Sequence, residues 1–174
     1  MLAIRKALEN EFERVKKFYN ELIDAMRDAV YKPGWQKGIY PSDAYLLESI
    51  CRGELYLGEL EGRIVAAMIV NHESNEGYHG VQWETEAKED EVSLIHALGV
   101  NPAFSRRGGA SCMAQEVLSM ARQSGQKAVR LDVLSGNVAA EKLYAGIGFQ
   151  HITTVQMFYE DTGWTDFLLY EYLI

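Results

Sequence analysis

Residues 92–134 restrict the fold more than any other stretch. The run 92–100 is apolar except for Ser93 and His96. It reads as a buried strand that Asn101-Pro102 stops. From Gly108 the pattern turns helical: Met113, Val117, Leu118 and Ala121 form a stripe that Gly125 closes. Residues 127–134 are strand-like again and rich in branched side chains. A strand, a glycine-bearing turn, a helix and a second strand in direct succession require helices packed on a sheet.

The remaining segments supply more of both. Residues 10–29 carry Val15, Phe18, Tyr19, Leu22, Ile23 and Met26 at helical spacing, with Asn10 and Glu13 set as a capping box. Lys32-Pro33-Gly34 ends that region, and Ser42 is placed to cap a second helix bearing Tyr45, Leu46, Leu47 and Ile50, closed by Gly53. Leu55, Leu57 and Leu60 make one strand of a hairpin and 64–70 the other, with Glu61-Gly62 at the turn. Residues 71–80 form a loop and 81–84 a third strand. Residues 137–145 are a short helix before Gly146 and Gly148. The stretches 149–159 and 164–173 are two last strands around the turn-rich 160–163. The expected fold class is α/β, or α+β, with one mixed sheet. No linker or repeat divides the 174 residues, so 1–174 is expected to be a single domain.

Charge and cysteine usage narrow the partners. The net charge of −8 repels a phosphate backbone, so no nucleic-acid partner is expected; the same charge and the lack of a long basic stripe count against a transferase acting on tRNA. Cys51 and Cys112 lie in no metal-ligand spacing, so no metal is expected, and they read as reduced thiols of a cytoplasmic protein. The amino-terminal segment lacks the features of a signal peptide, and no apolar run is long enough for a membrane span.

The loop Pro102-Ala103-Phe104-Ser105-Arg106-Arg107-Gly108-Gly109-Ala110-Ser111 carries the clearest chemistry. Small residues let the backbone approach a ligand, the helix start presents unpaired N–H groups, and two arginines stand just before it. These are the parts of a phosphate site. The lysine of a P-loop and the spacing of a dinucleotide fingerprint are absent.

Residues 95–149 resemble the GNAT superfamily of acyl-CoA N-acyltransferases. The strand ending Leu98-Gly99-Val100-Asn101-Pro102 leads into a Q/R-x-x-G-x-G/A element in which Gly108 and Ala110 match and Ser105 stands where Gln or Arg is usual. A second element follows without a gap: Leu131-Asp132-Val133, Ser135-Gly136-Asn137, Ala140, Leu143-Tyr144 and Gly148-Phe149. The resemblance implies a mixed, mainly antiparallel sheet splayed open between the strands at 92–100 and 127–134, flanked by helices, with acetyl-CoA as acyl donor in the opening. It implies that the backbone of Leu98, Gly99 and Val100 pairs with the pantetheine arm. The loop Ser105, Arg106, Arg107, Gly108, Gly109, Ala110 and Ser111 would hold the pyrophosphate. Asn137, Ala140 and Tyr144 would border the arm.

Acetyl transfer to an amine needs a neutral nucleophile, a donor for the developing oxyanion and a proton for the departing thiolate. Tyr144 matches the family tyrosine that serves the thiolate. The glutamate usual in the strand is replaced by Leu94, which leaves His96 or a water-linked acid as the base. His96 matches a histidine of the serotonin N-acetyltransferase branch. Trp35, Tyr40, His72, Tyr78, Trp83, Tyr159 and Trp164 are candidates for the acceptor site, with Glu84, Glu86 and Asp161 to attract a cation. The expected activity is acetyl transfer to the primary amine of a small molecule. A protein lysine or N-terminal acceptor, and a catalytically silent acyl-CoA-binding module, are the alternatives. The apolar end, 167–174, offers an edge for a homodimer.

Overall fold

The computed structural model describes residues 2–105 and 108–174, and of Ser105 the backbone only. Seven strands form one sheet in the order β1-β2-β3-β4-β5-β7-β6. They are β1 (Ala3–Lys6), β2 (Leu55–Leu60), β3 (Arg63–Asn71), β4 (Val92–Val100), β5 (Ala128–Leu134), β6 (Gln150–Tyr159) and β7 (Gly163–Leu173). Every neighbouring pair is antiparallel except β4 and β5. The helices are α1 (Phe12–Ala25), α2 (Asp43–Cys51), α3 (Pro102–Ser105), α4 (Gly109–Gln123) and α5 (Val138–Ile147).

The hairpin of β2 and β3 turns at Glu61 and Gly62, both at positive φ (52° and 75°), the geometry that suits the twist of paired strands. Ser42 caps α2, its hydroxyl accepting the Tyr45 N–H at 3.1 Å. Three expectations are corrected. The first helix begins at Phe12 after a single tight turn, and Glu11, not Glu13, returns to the preceding backbone: its carboxylate accepts the Leu8 N–H at 2.9 Å and binds Arg5. Residues 81–84 form no strand and lie as a loop along the sheet. The last strand has no free edge, since β7 is paired with β5 on one side and β6 on the other, so it cannot carry a dimer by strand pairing.

Both faces of the sheet are covered. Met113, Ala114, Val117, Leu118 and Ala121 of α4 pack on Val129, Leu131 and Val133 of β5 and Ala66 and Met68 of β3. On the other face Val15, Phe18, Tyr19 and Leu22 of α1, with Leu46 and Ile50 of α2, cover Leu55, Leu57, Ala67 and Ile69. The C-terminal part of that face is closed by residues from the long segment between β3 and β4: Tyr78 packs with Leu94, Met157, Phe167 and Leu169. Among the described residues no helix is long and apolar enough to cross a membrane.

The β4–β5 pairing opens the sheet. Only Val92, Ser93 and Leu94 pair with Ala128, Val129 and Arg130 before the two strands separate. A bulge in β4 coincides with the separation: the register with β3 shifts between Ala67 and Ile69, and Ala97 adopts φ +49°. Its carbonyl is taken by the buried Tyr19 hydroxyl at 2.8 Å. The result is a wedge-shaped opening in the middle of the sheet.

Candidate active site

The wedge contains a cavity of about 100 Å³, lined by β4, β5, α5, the segment 33–40 and the β6–β7 turn. The bulge sets what each residue of β4 faces. Leu98 and Val100 join the α4 side. Gly99 faces α1, where a side chain would collide with Leu22 and lie 3.1 Å from Trp35. Its lack of a side chain lets α1 and Trp35 close on the strand. His96 and Leu98 line the cavity.

At the far end of β4 the chain reaches α4. Gly108 precedes the helix at φ +76°, with open space around it, and the first intrahelical bond joins Cys112 N–H to Gly108 C=O at 2.9 Å. The N–H groups of Gly109, Ala110 and Ser111 therefore precede the helical ladder and stand at its positive end. A side chain on Gly109 would touch Val100 at 3.3 Å, so this helix start abuts the mouth of the wedge. Arg106, Arg107 and the Ser105 side chain lie outside the described residues. On the opposite lip, Asn137 caps α5: its Oδ1 accepts the Ala140 N–H at 3.5 Å, and both residues line the cavity. An open backbone edge, a glycine-led helix start and a slender channel between them fit acetyl-CoA.

Tyr144 of α5 is buried and lines the cavity. Burial, and to a lesser extent the charge of Asp132, raise its phenol above the ordinary value, so it stays protonated at neutral pH. His96 lies on the other side. Its Nε2 is 2.9 Å from Asn71 Oδ1, which also accepts the Glu73 N–H at 3.1 Å. Burial pushes the imidazole down to about 4, against the opposing pull of a hydrogen bond to the Glu73 backbone and of that residue's charge. The ring is neutral at pH 7.

Asp132 of β5 was not among the candidates. It lies in the cavity wall, on the face opposite the buried Leu131 and Val133, and its Oδ2 accepts the hydroxyls of Tyr78 (2.9 Å) and Tyr159 (3.0 Å). Burial raises its pKa above its ordinary value; the two hydroxyls oppose that rise and the charge of Asp161 adds to it. The signal was present in the sequence: one acid in a strand otherwise built for burial, five residues before Asn137.

Of the aromatic candidates, Trp35, Tyr40 and Tyr159 line the same cavity. Their rings interlock, with Tyr40 6.3 Å from Trp35, 6.0 Å from Tyr159 and stacked on Tyr45 at 5.9 Å. Tyr78 reaches the site through Asp132. His72 and Trp83 line a second cavity beyond Tyr78, and Trp164 is exposed at the β6–β7 hairpin. Asp161 joins the first cavity, whereas Glu84 and Glu86 are exposed and outside it. Among the described residues no cluster of three His, Cys, Asp or Glu side chains is placed to hold a metal.

A wedge between parallel strands, a glycine-led helix at its mouth and a tyrosine on the following helix together match a known family: the model of the acetyltransferase (GNAT) family fits residues 15–149. The chain belongs to the GNAT family. Acetyl-CoA is the acyl donor of that family. Two curated relatives match over a shorter stretch. The N-alpha-acetyltransferase RimI of Mycobacterium tuberculosis is 35% identical over 69 residues, 40% of this chain and 42% of the relative. The [ribosomal protein bS18]-alanine N-acetyltransferase of Haemophilus ducreyi is 33% identical over 70 residues, 40% of this chain and 48% of the relative. The matches thus span less than half the length of either relative. A crystal structure of a GNAT acetyltransferase from Streptococcus agalactiae superposes with a TM-score of 0.78 at 19% identity, covering 99% of this chain and 95% of that one. It shares the fold.

Proposed function

We propose that the protein transfers an acetyl group from acetyl-CoA to the primary amine of a small molecule, by direct attack while both substrates are bound. The observation that carries this reading is that a carboxyl group and a phenol face one cavity: Asp132 on β5 and Tyr144 on α5. Acetyl-CoA supplies the activated thioester. Asp132 takes the proton of the attacking nitrogen. A carboxylate raised above its ordinary pKa is a better proton acceptor than a solvated one. Tyr144, held protonated, gives its proton to the leaving sulfur. Holding the amine between Trp35, Tyr40 and Tyr159 supplies the positioning that a direct transfer needs. His96 is neutral and is held by Asn71, so it acts as a polar wall of the site and leaves the proton transfer to Asp132.

The backbone of Leu98, Gly99 and Val100 would pair with the pantetheine arm, and the loop from Ser105 to Ser111 would hold the pyrophosphate, with Asn137 and Ala140 along the arm. A second reading, transfer to the N-terminal amine of a protein, is favoured by the names of the two curated relatives. Thiol release from acetyl-CoA, measured with pooled amines and short peptides against a no-amine control, tests both. Amine-dependent release supports the transferase, and the productive pool identifies the acceptor. Release with peptides alone would replace the small molecule by a protein. Silence with every pool would favour an acyl-CoA-binding module.

A further inference from the structure

Asp161 sits in the turn joining β6 and β7 and is only 9% exposed, yet it lines the same cavity as Asp132. The backbone N–H groups of its own residue and Thr162 meet its carboxylate, and among the described residues no side chain is paired with it. Among the described residues, no lysine or arginine lines this cavity. Its one basic side chain, His96, is neutral. A buried and a half-buried carboxyl group, Asp161 and Asp132, thus line one cavity. Such an arrangement is relieved by a proton on one acid or by a cation between them. The wall between the two acids is aromatic: Tyr159 bonds Asp132 and stands two residues from Asp161, and Tyr40 and Trp35 extend the same surface. Aromatic faces beside carboxylates suit ammonium groups joined by methylenes. The turn is also held in place, because the Gln36 side chain donates to the Asp161 carbonyl.

We propose that the acceptor is a slender terminal diamine, with its reacting nitrogen at Asp132 and its second ammonium group held by Asp161. This rests on the transferase reading above. The cavity of about 100 Å³ has room for an unbranched chain. A monoamine leaves Asp161 without its cation.

The test is calorimetric binding to the full chain in the presence of coenzyme A. The ligands are the terminal diamines of propane, butane and pentane, with n-butylamine as the comparison. At least one diamine should bind about tenfold or more tightly than n-butylamine, a difference that falls with added salt. Asp161→Asn should bring the diamine down to the affinity of the monoamine, and Asp161→Glu should restore part of the preference, both with a cooperative melt. Equal binding of diamines and n-butylamine by the unmodified protein would overturn the proposal, whether or not either variant folds. So would a folded Asp161→Asn that keeps the preference. The two readings fail separately. A diamine preference without thiol release from acetyl-CoA supports this recognition and removes the transferase. Thiol release with n-butylamine but no diamine preference keeps the transferase and removes the diamine.

Discussion

The Tyr159 hydroxyl reaches from the end of β6, across β7, to the Asp132 carboxylate on β5, 3.0 Å away. Tyr78 approaches the same oxygen from the segment between β3 and β4. Both bonds favour the ionised acid and oppose the effect of burial. Removing one should therefore raise the Asp132 pKa further. If Asp132 is the base proposed above, Tyr159→Phe should move the rising limb of the pH–rate profile to higher pH. An unmoved limb in the variant would take Asp132 out of the proton path.

Asp132→Asn should lower kcat by about 10²- to 10⁴-fold and leave acetyl-CoA binding intact. It should also stabilise the fold. A carboxyl whose folded pKa is raised contributes most below the ordinary carboxylate range, and that contribution is lost as pH rises through the raised value. The amide has no such loss, so the gain in Tm of the variant over the parent should grow with pH. Melting curves across the range above pH 4, about the ordinary carboxylate value, read this directly.

Tyr144→Phe removes the proposed proton donor and little volume. It should reduce kcat by about 10²-fold or more with little change in the KM for acetyl-CoA. Donor thioesters with more acidic thiols need less protonation on leaving and should recover part of the loss. Equal losses with every donor would assign Tyr144 to packing.

His96 titrates at about 4 in the fold, against an ordinary value of 6.5. Its neutral form is the folded form, so its contribution is present above pH 6.5 and is lost as pH falls toward 4. The full loss is of the order of 3 kcal/mol. Denaturant unfolding at several pH values should show this slope, and His96→Gln should flatten it.

Glu171 is 1% exposed at its side chain and pairs with Arg130 at 2.8 Å. Its second oxygen accepts the Glu84 N–H, while Arg130 donates to the Thr85 carbonyl and lies 4.1 Å from the Trp83 ring centroid. Glu171→Gln leaves Arg130 buried beside a neutral partner and should cost about 3 kcal/mol of stability. It should also speed amide exchange around Glu84.

The same pair shows why the sequence misassigned 81–84. Val81 and Trp83 alternate with polar residues as a strand would, but the backbone just after them is tied to distant side chains, the Glu84 N–H to Glu171 and the Thr85 carbonyl to Arg130, which no local pattern reveals. The converse holds for β1: its four residues have no distinctive pattern and owe their form to pairing with β2. The Glu61-Gly62 turn and the Ser42 cap were legible because each is fixed within four residues. In the site, the motif residues of α4 and α5 were legible as a run. Asp132 acquires its role only through Tyr78 and Tyr159, 54 and 27 residues away.

The parting of β4 and β5 after three residue pairs gives the protein two strand edges in its interior. Exposed edges of this kind on the outside of a protein recruit further strands and lead to aggregation. Here they face each other across a gap walled by α5 and the 33–40 segment. The parting thereby leaves sheet backbone unpaired by its neighbour strand while sheltering it from neighbouring molecules.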